Sequence, residues 1–237
     1  MIGVVGEREM AHRAASELEA AGEPADAATI GDIAAADVEL IVTVGEQALS
    51  EVAGTEPGVP VLPTELAKDT GEVDAQGLSR TIERFRAGDA ELRTEPLLAV
   101  SANGEPVGHS LLDVMLVRSE PGRISEYSWT AGSECARFRA DGVVLATPRG
   151  SHGYAHAAGG PRLSRDTTTV AITPVAAFGL GAAAWIEDPG TDIELCVERD
   201  EGAVSLLVDG REAQQFFGRS RVTVHRQGSL ETIAGAR

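Results

Sequence analysis

Residues 141–161 read DGVVLATPRGSHGYAHAAGGP. The part Val143–Ala146 is apolar and partly β-branched, which predicts a buried strand. The strand gives way to Thr147–Tyr154, which combines two glycines, two aliphatic hydroxyls, one guanidinium and a phenol ring. Glycine lets the backbone approach a ligand closely, and hydroxyl and backbone N–H groups suit phosphate or ribose. The stretch therefore predicts a ligand site at the end of a strand.

These residues resemble the NAD kinase family, in which Asp-Gly, Thr-Pro-x-Gly-Ser-Thr-Ala-Tyr and Gly-Gly-Pro follow one another. The matching positions fall in register without a gap at Asp141, Gly142, Thr147, Pro148, Gly150, Ser151, Tyr154, Gly159, Gly160 and Pro161. The resemblance continues at Ile172–Pro174 and at Val208–Gly210. It covers the C-terminal two-thirds of the chain, and the N-terminal third only weakly.

The resemblance implies an N-terminal Rossmann-like α/β domain followed by a C-terminal β-sandwich domain. It also implies phosphorylation of the NAD 2′-hydroxyl by ATP with Mg²⁺, in a homodimer or homotetramer. Such phosphoryl transfer depends mainly on positioning and charge neutralisation. The implied NAD(P)-binding residues are Asp113, Asp141, Thr147, Ser151, His152, Gly153, Tyr154, Ala176 and Phe178. Asp141 is implied to contact the nicotinamide end of NAD across a subunit interface.

Several of these residues also have purely structural interpretations. Asp141 could simply begin an Asp-Gly turn. Tyr154 could pack in a core rather than stack on a ligand, and Ala176 and Phe178 could equally pack in one. These alternatives stay open at the level of sequence.

The basic residues of the same stretch leave a choice as well. Arg149 is either a solvated charge or a bidentate phosphate contact. His152 and His156 are four residues apart, which on a helix would allow shared metal binding. Because no third ligand stands near them, the sequence predicts two partly exposed histidines and no metal site.

The family's phosphate-binding turn is altered in this chain. The family has Gly-Gly-Asp-Gly, with the aspartate implied as base toward the 2′-hydroxyl, whereas residues 45–48 read GEQA. Gly45 keeps the phosphate-loop glycine, but Gln47 takes the place of the aspartate and Ala48 that of the last glycine. An amide cannot accept a proton at neutral pH, so Glu46 is the candidate catalytic residue. Two functions follow: an NAD kinase with a rebuilt turn, or an inactive homologue that senses NAD(P) or partners an active kinase.

The chain differs from the family in three other places. Leu112 stands where the family has an asparagine that reads adenine, and losing such a hydrogen bond costs about 1–3 kcal/mol. His152 and Gly153 replace Thr-Ala, and Leu62–Thr64 replaces an Asn-x-Gly loop that lines the nucleotide site. The sequence therefore predicts a reshaped pocket.

Hydrophobic periodicity divides the chain near Gly88. Before it, alternation predicts an open parallel α/β sheet, with strands at 2–5, 35–44 and 59–63 and helices at 7–21, 46–53 and 78–86. After it, turn-rich alternation predicts a β-sandwich, with strands at 96–101, 110–118, 123–130, 142–146, 168–173, 192–196, 203–208 and 221–225. The predicted domains are 1–88 and 89–225, with 226–237 returning to the first as the family implies.

Composition narrows the class of partner. The net charge is −17, from 37 acidic and 20 basic residues, which disfavours nucleic acid. The acids are spread along the chain, which favours adaptation to high intracellular salt over binding of a basic partner. Cys135 and Cys196 are expected to be reduced thiols packed in strands. No apolar run suits a membrane span or signal peptide, so a cytoplasmic protein is expected. The partner that the resemblance implies is a small nucleotide.

Overall fold

Two compact units make up the chain: Met1–Thr94 with Ser229–Arg237, and Glu95–Gly228. The computed structural model describes residues 1–33, 37–65, 74–120, 124–178, 183–199 and 202–234. The first unit has a parallel α/β sheet and the second has two β-sheets, which confirms the predicted fold class. The sequence-based domain limits lie at residues 88 and 225.

The first unit is a parallel sheet with helices between its strands. Its strands are β1 (Ile2–Val5), β2 (Ala25–Ala27), β3 (Leu40–Val44) and β4 (Val61–Thr64), and its helices are α1 (Arg8–Ala20), α2 (Ile30–Ile33), α3 (Glu46–Ala53) and α4 (Ala75–Arg86). The strand order is β2-β1-β3-β4, and Thr232 near the end of the long strand β16 (Ser220–Ile233) pairs with Val61. The carboxyl end of β3 therefore leads directly into the turn that begins at Gly45.

The elements of this unit form where buried apolar residues recur. Every residue of β1 and β3 is buried, as expected for parallel strands covered on both faces. Ala11, Ala14, Ala15 and Leu18 form the buried face of α1. The sequence predicts this helix from the spacing of Met10, Ala14, Ala15 and Leu18, but Met10 is exposed and Ala11 takes its place on the buried face. The predicted strand 35–44 is shorter: it begins at Leu40, and residues 34–36 lie outside the described residues. β2 was not predicted because its sequence, Ala-Asp-Ala, has no apolar run.

The second unit packs one β-sheet on another. Its strands are β5 (Leu92–Ala102), β6 (Glu105–Ser110), β7 (Asp113–Arg118), β8 (Ser125–Ala131), β9 (Glu134–Ala140), β10 (Gly142–Ala146), β11 (Val170–Val175), β12 (Trp185–Glu187), β13 (Ile193–Val197), β14 (Val204–Val208), β15 (Arg211–Phe216) and the first part of β16. One sheet contains β16-β13-β8-β9 and the β5–β6 pair, and the other has the order β12-β11-β10-β7-β14-β15. Side chains of both sheets share one apolar core.

Alternating burial explains the strands that face this core. In β8, Ser125, Tyr127, Trp129 and Ala131 are buried and the residues between them are not. Strands β6, β9, β12 and β15 were not predicted because they are short or rich in exposed polar residues. Both cysteines are free and lie in strands, but the Cys135 thiol is exposed rather than packed. Within the described residues, no helix has the length and apolar content to cross a membrane.

Candidate functional site

The loop that follows β10 forms the centre of the candidate site. β10 lies between β7 and β11, and all its residues are buried. The loop Thr147–Tyr154 contains a 3₁₀ turn at Gly150–His152 and continues into a short helix, α5 (Tyr154–Ala157). The strand therefore fixes the beginning of the loop in the middle of the six-stranded sheet.

Thr147 ties this loop to the residues that precede β7. It is fully buried. Its backbone N–H donates to the Leu112 carbonyl at 2.9 Å, and its hydroxyl donates to the Leu111 carbonyl at 2.6 Å. The same hydroxyl accepts from the Gly150 N–H at 3.2 Å. Thr147 thus shapes the loop from inside, and its predicted contact with NAD stays a prediction.

Ser151 ties the loop to the segment that follows α5. Its side chain is fully buried. The hydroxyl donates to the Pro148 carbonyl at 2.9 Å and accepts from the Leu163 N–H at 2.9 Å. The two aliphatic hydroxyls of the predicted ligand set, those of Thr147 and Ser151, therefore have partners inside the protein. These two residues shape the backbone of the loop that a ligand would meet.

At Gly150 the loop packs directly against the backbone of Leu112. A Cβ at this position would overlap the Leu112 carbonyl oxygen and lie 3.0 Å from the Leu112 Cα. Real Cβ atoms do not come so close to backbone, so only glycine fits. The glycine of the Thr-Pro-x-Gly motif is thus required by packing.

Asp209 fixes the other side of this contact. One carboxylate oxygen accepts from the Ser110 hydroxyl at 2.7 Å and from the Leu112 and Asp113 N–H groups at 2.8 and 3.0 Å. The other oxygen accepts from the Leu111 N–H at 3.0 Å. Asp209 itself has φ +48°, a conformation that aspartate tolerates better than most residues. These bonds bend residues 110–112 out of the strand predicted for 110–118.

The outward face of the loop carries the remaining predicted residues. His152 and Gly153 are exposed, and Tyr154 is 49% exposed. The His152 Nε2 lies 3.1 Å from the Leu163 carbonyl, which fixes the ring beside the loop. Asp113 is partly exposed at the start of β7 and pairs with the last residue of β10. The structure therefore excludes core packing for Tyr154 and places these four residues around one loop.

Three predicted residues lie at the opposite end of β10. Asp141 precedes the strand, and its N–H donates to the Val175 carbonyl at 2.9 Å. Ala176 and Phe178 follow β11 at the same end and are exposed, Phe178 by 68%, so neither packs in a core. At about 3.3 Å per residue, the strand separates Asp141 from Thr147 by roughly 20 Å. The predicted residues thus form two groups rather than one cluster.

The Asp141 backbone is held firmly in place. Its carbonyl accepts from the Arg118 N–H at 3.0 Å and from the Tyr127 hydroxyl at 3.3 Å. Burial raises the pKa of the Tyr127 hydroxyl, so it remains a donor at neutral pH. The side chain of Asp141 is partly exposed and is carried by a backbone that these hydrogen bonds hold in place.

The altered turn lies in the first unit, at the start of α3. Gly45 has φ +88°, and its N–H donates to the Thr64 carbonyl at 2.8 Å. Glu46 and Gln47 are exposed, and the Gln47 amide donates to Glu51 at 3.2 Å. Ala48 is buried, so its methyl group faces the interior instead of a ligand. The turn therefore offers backbone N–H groups at a helix N-terminus together with the Glu46 carboxylate.

The histidines and Arg149 have protein partners. The His156 Nδ1 lies 3.2 Å from the Gly160 carbonyl. Among the described residues, no group of three or more His, Cys, Asp or Glu side chains could hold a metal. The Arg149 side chain is 14% exposed and pairs with buried Glu95 at 2.9 Å, so the interpretation as a solvated charge is wrong.

The clamp formed by Asp209 was missed at the level of sequence. Val208–Gly210 matches the family motif, but the motif does not reveal that the aspartate reaches back across the chain to residues 110–113. The available signal was the Asp-Gly pair after a strand, which suggests a turn with a side chain that caps nearby backbone N–H groups.

We expect Asp209→Asn to loosen the loop. Asparagine keeps one acceptor oxygen and tolerates the backbone conformation, but its NH₂ group would face the Leu111 N–H. Hydrogen bonds to a charged group contribute about 1.5–3 kcal/mol, so urea unfolding should show a loss of that size. Asp188→Asn, which alters an exposed turn carboxylate, should cost no more than about 0.5 kcal/mol. Equal losses in the two variants would contradict the clamp.

Sequence comparison finds relatives over most of the chain. Residues 112–232 match the family model described as ATP-NAD kinase C-terminal domain. The chain is 31% identical over 194 residues to an NAD kinase of Methanopyrus kandleri, a match that covers 79% of this chain and 70% of that protein. Four further archaeal NAD kinases are matched over 48% to 66% of their own length.

Solved structures share the fold. The yeast NADH kinase complexed with NADH superposes with a TM-score of 0.80 at 17% identity, covering 100% of this chain and 83% of that one. An NAD kinase from Archaeoglobus fulgidus in complex with ATP gives a TM-score of 0.73 at 18% identity, covering 99% and 94%. At such low identity these likenesses describe the fold alone.

Proposed function

This chain belongs to the NAD kinase family, and from that premise we propose that it binds an NAD-type dinucleotide and transfers a phosphoryl group from ATP to its 2′-hydroxyl. The observation that carries the proposal is the loop Thr147–Tyr154, which buried hydrogen bonds hold rigid while its outer face stays open. A rigid loop with exposed glycine and aromatic groups suits a nucleotide because little ordering is lost on binding.

The proposed binding residues have two roles, and the burial of each residue indicates which role it has. Thr147 and Ser151 hold the loop, whereas His152, Gly153 and Tyr154 face the ligand. Tyr154 offers a ring for stacking, and Gly153 offers its exposed backbone to the ligand.

The group at the other end of β10 supports an oligomer. Asp141, Ala176 and Phe178 lie too far from the loop within one chain to join the same small contact. A homodimer or homotetramer in which Asp141 of one copy meets the loop of another would complete the site. This arrangement matches the role across a subunit interface that the family implies for Asp141.

Glu46 is the proposed catalytic carboxylate. It is exposed at the N-terminus of α3, where backbone N–H groups can receive phosphate. Glu46 is the one carboxylate among residues 45–48, and we assign it to the proton of the 2′-hydroxyl. Mg²⁺ that arrives with ATP would be held by the substrate phosphates and water. When bound, Mg²⁺ would neutralise charge on the phosphates.

A second function is favoured by a specific observation at the same turn. Gln47 stands where the family has its aspartate, and its amide donates to Glu51. A turn without that carboxylate fits a protein that binds NAD(P) as a sensor, or that partners an active kinase, without turnover. Binding is common to both functions, and catalysis separates them.

Glu46→Gln tests the choice. We expect the wild-type protein to form NADP from NAD, ATP and Mg²⁺ in molar KCl, since the composition favours high salt. Removing a general base typically costs about 10²–10⁴-fold, so the variant should lose at least about 100-fold in rate while calorimetry shows unchanged NAD affinity. Glu51→Gln, the same charge change on the same helix, is the control.

Two results would change the proposal. A Glu46→Gln variant as active as the wild type would remove Glu46 from the mechanism. NAD binding without any NADP formation by the wild-type protein would establish the second function instead.

A further inference from the structure

The segment from β10 to Arg165 has a charge opposite to that of the chain. The protein carries a net charge of −17, yet residues 142–165 contain three arginines, two histidines and no Asp or Glu. Asp141 and Asp166 bound this stretch on either side, so its arginines are candidates for direct contacts with an anion rather than the source of a broad positive field. This segment includes the loop of the proposed nucleotide site.

Two of these arginines converge on one buried carboxylate. The Glu95 side chain is 1% exposed, and one of its oxygens accepts from Arg149 at 2.9 Å and from Arg165 at 3.1 Å. The two guanidinium groups therefore share one carboxylate oxygen, and these three residues form the Glu95–Arg149–Arg165 cluster. Of the two arginine side chains, Arg165 is the more accessible, at 29% against 14% exposed.

The segment that carries Arg165 is hydrogen-bonded to the loop two residues earlier. The nearby Leu163 donates its N–H to the Ser151 hydroxyl at 2.9 Å and lies with its carbonyl 3.1 Å from the His152 Nε2. Upstream, Gly160 has no room for a Cβ, which would lie 2.7 Å from the Ala155 carbonyl oxygen. The segment that carries Arg165 is therefore bonded to the loop at Leu163 and packed against α5 at Gly160.

We propose that Arg165, held in place with Arg149 by the Glu95 carboxylate, binds the pyrophosphate group of the ligand. This inference rests on the proposed function and names the contact that the dinucleotide's phosphates make. A guanidinium offers five N–H donors in a planar fork. Glu95 occupies part of that fork, which fixes the orientation of the plane, while the exposed part can donate to phosphate oxygens. Glu95 and Arg149 are positioning residues in this scheme.

Calorimetric titration of Arg165→Met tests the contact. Losing a charge-assisted hydrogen bond to phosphate is expected to weaken NAD binding on the order of 10- to 100-fold. Binding of adenosine, which has no phosphate, should not change. Arg165→Lys keeps the charge without the fork and should recover only part of the affinity. Arg162→Met, which removes the same charge from the same segment outside the cluster, should change NAD affinity far less.

Glu95→Gln separates positioning from simple charge. Removing a negative charge should tighten binding of an anion if Coulomb attraction alone mattered. If Glu95 orients Arg165, the variant should instead bind NAD more weakly and leave adenosine binding unchanged. Glu126→Gln, which breaks a 2.6 Å pair with Arg199 elsewhere in the second unit, controls for the loss of an ion pair as such.

The alternatives give different results. Equal losses for NAD and adenosine in Arg165→Met, or equal losses in Arg165→Met and Arg162→Met, would overturn the contact. ADP and ATP carry the same pyrophosphate chemistry, so weakened ADP binding with unchanged NAD binding would move the contact to the phosphoryl donor and overturn the assignment to the dinucleotide. Failure of the wild-type protein to bind NAD would overturn the proposed function as well.

Discussion

Gly150→Ala is expected to abolish NAD binding. The added Cβ would overlap the Leu112 carbonyl oxygen, and because that atom is backbone, it cannot swing aside as a side chain could. Either the loop or residues 110–113 must move, and both are held by hydrogen bonds, buried in the loop and partly buried at residues 110–113. Overpacking of this kind costs typically 1–3 kcal/mol and occasionally more. Calorimetry with NAD and urea unfolding would measure the two effects.

Gly153→Ala is the matched control for this experiment. The same methyl group at Gly153 would meet only the Gly150 carbonyl oxygen at 3.5 Å, an ordinary van der Waals distance. The NAD kinase family also has alanine at this position. We expect NAD affinity within about threefold of the wild type, a difference of less than 1 kcal/mol. Normal NAD binding by Gly150→Ala would show that the loop does not carry the site.

Arg86→Met is expected to cause the largest loss of stability. Arg86 binds Glu23 at 2.7 Å and Glu39 at 2.6 Å, and the Glu23 side chain is only 5% exposed. Removing the cation leaves a buried carboxylate without its charge partner, which costs about 3–5 kcal/mol. Urea unfolding at pH 7 should therefore show a large drop in midpoint with little change in slope. Replacing Glu23 by leucine in the same protein should recover part of the loss.

A control variant, Arg93→Met, and the pH dependence of stability test whether the loss in Arg86→Met comes from its ion pairs. Arg93→Met removes a pair with Glu91 whose side chains are 30% and 62% exposed, and such pairs contribute about 0–1 kcal/mol. Hydrogen bonds from Arg86 hold the pKa of Glu39 below its usual range. The stabilisation from Glu39 is therefore complete above the ordinary glutamate pKa and is lost as the pH falls through the lowered value. The difference between wild type and Arg86→Met should shrink in acid, and a difference constant with pH would contradict this account.

The sequence predicted best where a local pattern decides the structure. β10 has the predicted bounds, Gly142–Ala146, because a buried apolar run lies between an Asp-Gly turn and a Thr-Pro break. Helix α3 likewise has the predicted bounds, Glu46–Ala53. In both elements, the residues that start and end the element stand directly beside it in the sequence.

Long-range contacts were beyond the reach of the pattern. Asp209 binds residues about a hundred positions earlier, and Glu95 binds Arg149 and Arg165 across several strands. No periodicity reports such pairs. The inward direction of the Thr147 and Ser151 hydroxyls was also hidden, because the same residue types serve equally well as ligand contacts and as internal braces. The motif located the loop, but only the structure distinguishes the side chains that point inward from those that are exposed.

The order in which the sheet of the first unit is assembled has a consequence during synthesis. Thr232 pairs with Val61 on β4, so that edge of β4 stays open until the ribosome has made the residues after 228. At about 5–20 residues per second, the roughly 140 residues between 94 and 234 take roughly 7 to 28 s. An open strand edge is a template for aggregation. Pro63 lies within β4, and a proline, which cannot donate to a ladder, suits a nascent chain whose strand edge must wait for β16.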